Sequence, residues 1–585
     1  MLRKILAFSL MLGMLVFAGS LGAQGLRTPA EIANFQQRGI LYQPMMEYIY
    51  GLAARTDLMK VQKITETLLG RDVVLCILSD PPVHQPSDIL NTGKPVVLIV
   101  NNVHGGEYSG KEASLMLMRD LTQGELRPLL SRTVVLIVPT INPDGAEVYR
   151  RTNEQQFDLN RDYIKLESQE INGLVTRVMN VWQPDIHVDT HHGGAAPYTL
   201  TFQTCLNPAC DQNLVALGND QIIPRIKSAL RKEDYDGFWY SGPGRLEGQE
   251  GWTPTSCEPR KHHTYAGLSN SVGFLFETPG LSHRLIKNGS EVVPVPQEER
   301  FRHQIRGQYI GQREVIRFAA EQGQQLRKVV MQARETAIRL GSDDADNDQI
   351  VLEYKQGSRG DEEFWRPKAA APSDAPAQAR GAAQGQARGA APAQARGAAQ
   401  PREYEKVVRP VFTKFTATRT TSRPWGYVLP PSLATVVPLL FDHQIAVMRL
   451  TEPLETEVEV YYANEVLNRE YFQGHYLKAA KVAKKVEKVR LPAGSFFVPA
   501  GQPKANLISY MLEPETDDNL LTWNYLDNYV QVTGQARVRT SEEEAAPARP
   551  ARQMMVPIYR ITKKVDMKAV LAEEYNRYQK NRFVR

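Results

Sequence analysis

The chain has 585 residues, 42% apolar and 8% aromatic, an ordinary globular balance that excludes wholesale disorder. Its 70 basic and 65 acidic side chains leave a net charge of +5, too small for a nucleic-acid binder to declare itself by charge. The positive excess sits in residues 1–23 and 369–402, and the remainder of the chain is neutral, so no basic field needs a partner.

In chain order, residues 1–23 place Arg3 and Lys4 before an apolar run that ends in small residues. This is the pattern of a secretory signal peptide cleaved after Ala23, and it predicts a secreted or periplasmic protein. The run is short for a membrane span, and no later stretch is apolar enough to cross a bilayer, so no transmembrane segment is expected after cleavage. Export makes disulfides possible, and Cys205 with Cys210 would close a short loop, while Cys76 in VVLCIL reads as a core residue.

Residues 24–345 form a front block. RDVVLCIL, KPVVLIVNNV, RTVVLIVP, PDIHVDTH and SVGFLFE are short runs, apolar on both faces, as in strands buried between helix layers. Helices are predicted over Ser109–Leu121, Glu167–Trp182 and Pro296–Leu340. The alternation predicts an α/β sandwich around a largely buried sheet. Residues 346–402 are expected to be a linker, because 368–402 repeats Ala, Gln, Gly and Pro around ARGAA without one large apolar side chain. Residues 403–585 read as a smaller accessory α/β domain with a disordered insertion at 541–553.

The chemistry concentrates in the front block. A strand ends at Val103 and His104-Gly105-Gly106-Glu107 follow, placing an imidazole and a carboxylate on one tight loop. A catalytic zinc takes three protein ligands, so a third is sought at another strand end. In PDIHVDTHHGG, alternation sets His187, Asp189 and His191 on one face; His191 opens on the loop, His187 lies deeper, and His192 competes. SVGFLFETPG runs an apolar strand into Glu277, a carboxylate costly to bury unless paired or functional. NPDGAEVYRRTNEQQFDLNR gathers Asp144, Arg150, Arg151, Asn160 and Arg161, and arginine's fork of donors suits a carboxylate or a developing oxyanion.

Five motifs in this order, HxxE, NPDG, DLNR, DTH and a strand ending in ETPG, resemble the zinc metallocarboxypeptidase family, the carboxypeptidase A-like enzymes, over most of residues 40–340. The resemblance implies a carboxypeptidase-like α/β/α sandwich with a mixed sheet. It implies one Zn2+ held by His104, Glu107 and His191, with Asp144 orienting His104. Glu277 would be the general base on a zinc-activated water, and Arg151, with Arg150 as rival, would stabilise the oxyanion. Asn160 and Arg161 would grip the terminal carboxylate of a peptide or protein substrate. The family's mobile tyrosine has two candidates here, Tyr240 and Tyr265. Alternatives are an amidase or deacylase of the same fold acting on cell-wall peptides, or a non-catalytic peptide-binding module. There is no GxSxG, and the cysteines lie outside the motifs, so no serine or cysteine nucleophile is expected.

Overall fold

The computed structural model describes residues 26–35, 39–90, 92–254, 257–345, 348–368, 403–535 and 553–576. The expected signal peptide of 1–23, the repeats of 369–402 and all but the last residue of the expected 541–553 insertion lie outside the described residues.

The front block is built on eight strands: β1 (Met59–Glu66), β2 (Asp72–Leu78), β3 (Val96–Val100), β4 (Val134–Val138), β5 (Ile186–His191), β6 (Leu200–Thr204), β7 (Gly237–Trp239) and β8 (Val272–Glu277). Their order across the sheet is β1-β2-β4-β3-β5-β8-β6-β7. The central pairs β4-β3, β3-β5 and β5-β8 are parallel, while β1-β2, β2-β4 and β8-β6 are antiparallel, which makes the sheet mixed. β3 and β4 carry the same pentapeptide, VVLIV, and every residue of both is buried. Branched side chains suit a pleated surface covered on both faces, so these strands form the middle of the sheet.

Helices cover the two faces, among them Tyr42–Ala53, Ser109–Thr122, Ile223–Lys232 and the pair Arg300–Glu321 and Gly323–Ser342. The expected single helix over 296–340 breaks at Gln322, whose backbone (φ −114°, ψ 24°) leaves the helical region just before Gly323. The Cys205–Cys210 disulfide is present, and Cys76 and Cys257 are buried thiols. Among the described residues no helix is long and apolar enough to cross a membrane.

The expected linker is shorter than its composition suggests. Gln349–Gly357 and Asp361–Pro367 are strands, paired antiparallel with Lys414–Ser422 and Tyr404–Pro410 respectively. The apolar positions of IVLEY and EFW gave a partner surface that the neighbouring Ala-Gln-Gly repeats lack. Beyond them, Gly426–Leu429, Met448–Leu450, Leu454–Phe472, His475–Leu491, Phe496–Pro499, Met554–Ile561 and Ala569–Leu571 form the back-block sheet, with a helix at Ala505–Leu512. This block is not separate from the first. One buried apolar cluster runs from Leu159, Tyr163 and Tyr265 of the front block to Tyr427, Leu507 and Trp523 of the back block.

Candidate active site

The parallel centre of the sheet brings the candidate ligands together. β5 ends at His191, β8 ends at Glu277, and the two residues are directly in register on neighbouring strands. β3 lies on the other side of β5, and the chain leaving it reaches His104 and Glu107 before the helix from Ser109 begins. Carboxyl ends of parallel strands are where loops of an α/β sheet open into a crevice. The two glycines of HGGE serve close approach. A Cβ on Gly105 would fall 2.2 Å from the backbone of Gly145, so only a glycine lets this loop rest on the NPDG turn. A Cβ on Gly193 would fall 2.5 Å from Oε2 of Glu277, so a side chain there would push the carboxylate aside.

Three donor atoms converge. His191 Nδ1 is 2.8 Å from Glu107 Oε2 and 3.1 Å from His104 Nδ1, and His104 Nδ1 is 2.9 Å from the same Oε2. Two imidazole nitrogens and one carboxylate oxygen are a known catalytic zinc set, with ligand bonds of about 2.0–2.2 Å. Burial lowers the pKa of His191, but Asp189 and Glu107 outweigh it and hold that ring's pKa well above the ordinary value. Burial raises Glu107, and the two imidazoles overcome it and hold its carboxyl well below the usual range. Both shifts favour the charged forms, an imidazolium beside a carboxylate, where the three donor atoms meet.

Each imidazole is fixed from behind by a carboxylate, as metal-bound histidines require. His191 Nε2 lies 2.8 Å from Asp189 Oδ2, and His104 Nε2 lies 3.0 Å from Asp158 Oδ1. Asp158, rather than Asp144, therefore stands behind His104. Asp144 instead accepts from Thr67 Oγ1 at 2.9 Å and Arg71 at 2.7 Å, tying the NPDG turn to the β1–β2 connection. Sequence reasoning missed Asp158 and Asp189. The available signals were the aspartate of DLNR itself and the i, i+2 spacing of Asp189 and His191 on one strand face.

Glu277 is buried, and burial, with Glu107 adding to it, pushes its pKa up to about 7. Arg151 donates from Nε to Asp158 Oδ2 at 3.0 Å and lies 3.6 Å from Glu107, with half of its side chain open to solvent. Arg150 is turned to Glu154 at 2.5 Å. Arg151 is thus the arginine at the ligand cluster. Arg161, half-buried, donates to the carbonyl of Asn160 at 2.7 Å and acts electrostatically on both Asp158 and Tyr240.

Asn160 makes its side-chain hydrogen bonds within the site. Its Nδ2 donates to Asp189 Oδ2 at 3.0 Å and lies 2.9 Å from His191 Nε2, and its Oδ1 accepts from the backbone of His262 at 2.9 Å. Its amide is thus engaged and buried beside Asp189 and His191. His187 packs deeper against His262, and His192 accepts from Ser109 N at 2.9 Å, held neutral by burial with its pKa down to about 4, so neither joins the cluster. Of the two tyrosines, Tyr265 is core, bonded to His443 Nδ1 at 2.9 Å. Tyr240 faces the Glu277 carboxylate, which together with burial raises its phenol.

A largely buried His, Glu, His triad at parallel strand ends, with another glutamate on the adjacent strand, is a donor set able to hold a divalent metal ion. The comparisons narrow the class. Residues 45–187 match the zinc carboxypeptidase family model, a stretch that holds His104 and Glu107 and ends before His191 and Glu277. That stretch of the chain is therefore similar to a zinc carboxypeptidase domain. It is 24% identical over 450 residues to carboxypeptidase 2 of Trichophyton tonsurans, covering 74% of each chain. It is 30% identical over 122 residues to human carboxypeptidase D, covering 18% of this chain and 8% of that one. Among solved structures it resembles the metallo-carboxypeptidase of Pseudomonas aeruginosa, with 18% identity, a TM-score of 0.37, and 48% and 70% of the two chains covered.

Proposed function

We propose that the protein is an exported carboxypeptidase that removes C-terminal residues from peptides, with one zinc ion held by His104, Glu107 and His191. The observation that carries this reading is the convergence of those three donor atoms beside a buried, protonatable Glu277. The leader of residues 1–23 supports export.

A bound ion would supply a Lewis acid and make water a better nucleophile. The side chains do the rest. Glu277, with a pKa near neutrality, accepts the proton of the attacking water and returns it to the departing amine. Arg151, anchored by Asp158 with its outer half open, offers N–H donors to the oxyanion that forms on the scissile carbonyl. Arg161 supplies the positive charge that holds the substrate's terminal carboxylate. Asn160 donates to Asp189 and so steadies the carboxylate behind His191. Tyr240, whose phenol faces Glu277, is the candidate for the tyrosine that contacts bound substrate.

Arg161 gives the reading a direct test. Paired peptides differing only in a free or amidated C-terminus should differ by about 100-fold in kcat/KM, the free acid being preferred, as for loss of a charge-assisted pair. Replacing Arg161 by Ala should erase most of that difference. Equal cleavage of both peptides by the unaltered protein would instead favour the amidase reading.

A further inference from the structure

The back block reaches the catalytic loop. Leu454–Phe472 and His475–Leu491 form a hairpin with arms of 19 and 17 residues, far beyond the usual strand of about 5–6. Gln473 and Gly474 make its turn, both left-handed (φ 52° and 84°), as a two-residue hairpin connection requires. Gln473 Oε1 accepts the backbone N–H of Asp158 at 2.8 Å. On one side of the turn the Phe472 ring lies under the Arg260 guanidinium at 5.4 Å. On the other, His475 Nε2 lies 2.9 Å from Glu167 Oε1 while its Nδ1 lies 3.0 Å from Asn524 Oδ1.

Asp158 is the hub behind the site. Its Oδ1 meets His104 Nε2 and the backbone N–H of Asn160, both at 3.0 Å, and its Oδ2 accepts from Arg151. A carboxylate that aims a ligand histidine and an arginine at once must itself be held to a fraction of an ångström. We propose that Gln473 is a positioning residue of the reaction: by fixing the backbone of Asp158 it sets the aim of His104 and Arg151, so the hairpin of the back block completes the site of the front block. This rests on the functional reading above.

The test uses the full-length mature protein with Gln473→Ala, Gln473→Asn and Gln473→Glu. Ala lacks the acceptor, Asn is one methylene too short to reach, and Glu keeps both reach and acceptor. Removing an outer partner of a metal ligand costs about 10–100-fold, and Gln473 is one contact further out, so kcat should fall about 5- to 10-fold in the Ala and Asn variants. KM should hold within about twofold, the Glu variant should stay near the parent, and the melting midpoint should move by no more than about 2 °C. Zinc affinity, read by competition with a chromogenic chelator, should weaken about 3- to 10-fold in the Ala and Asn variants.

Parental kcat and zinc affinity in Gln473→Ala would overturn the proposal. So would a Glu variant as impaired as the Ala variant, because it keeps both the reach and the acceptor on which the proposal rests. A parent protein without chelator-sensitive hydrolysis would sink the functional reading, and the zinc competition would still decide whether Gln473 steadies the ligands.

Discussion

Replacing Glu277 by Gln is expected to lower kcat by about 1,000-fold while KM stays within a few-fold and zinc content is unchanged. The substitution keeps the shape of the side chain in the tight space beside Gly193 and removes its capacity to accept a proton. Glu277 is one strand away from His191 and is absent from the donor triad, so the metal site should survive the change. Steady-state kinetics with metal analysis of the purified variant decide it. A variant that keeps parental kcat would mean another group takes the proton; one that loses its zinc would mean Glu277 belongs to the ligand set.

The second large effect concerns the two blocks. A chain ending at residue 345 is expected to be insoluble or protease-sensitive instead of forming a smaller active enzyme. Arg260 is nearly buried, and Asp518 of the back block accepts from both its backbone N–H and its Nε at 3.0 Å. Stripping one partner from a buried pair costs about 3–5 kcal/mol, against a whole-domain stability of about 5–15 kcal/mol. The same cut unpairs Tyr265 from His443, leaves Ile164 O without its imidazole donor, and opens Leu159 and Tyr163 to water. Expression of residues 24–345 followed by limited proteolysis reads this out. A soluble, protease-resistant fragment with full peptidase activity would show that the front block folds and works alone.

Much of this was legible in the sequence because the chemistry lies at strand ends. VVLIV, IHVDTH and GFLFE announce buried strands by composition, and His104, His191 and Glu277 follow from where those strands stop. What composition cannot say is which polar loop folds back on which ligand. Asp144 and Asp158 both sit in sequence rich in turn residues, the first in the short helix Pro143–Glu147 and the second just before Leu159–Arg161. Only the packing of Arg71 and Thr67 against Asp144, and of His104 against Asp158, separates a brace from a ligand partner. Asn160 is similar: an amide beside an arginine suits a substrate carboxylate, but its contacts with Asp189 and the His262 amide turn it inward. The hairpin tip was the least accessible feature. Its second arm, KAAKVAKKVEKVRL, mixes lysine with small apolar residues and has little of a strand's alternation. Its contact with Asp158 spans 315 residues of sequence. The strands of 349–367 were obscured by the repeats that follow them, whose composition dominates any window drawn across the boundary.

The most direct measurement is a timed digest of unrelated free-acid peptides by the mature protein, followed by mass spectrometry. It is run as purified, after exhaustive chelation, and after return of one equivalent of zinc. The expected result is a ladder of products shortened one residue at a time from the C-terminus, lost on chelation and recovered with zinc. Products cut internally or from the N-terminus, or a ladder indifferent to chelation, would contradict a zinc carboxypeptidase built on His104, Glu107 and His191.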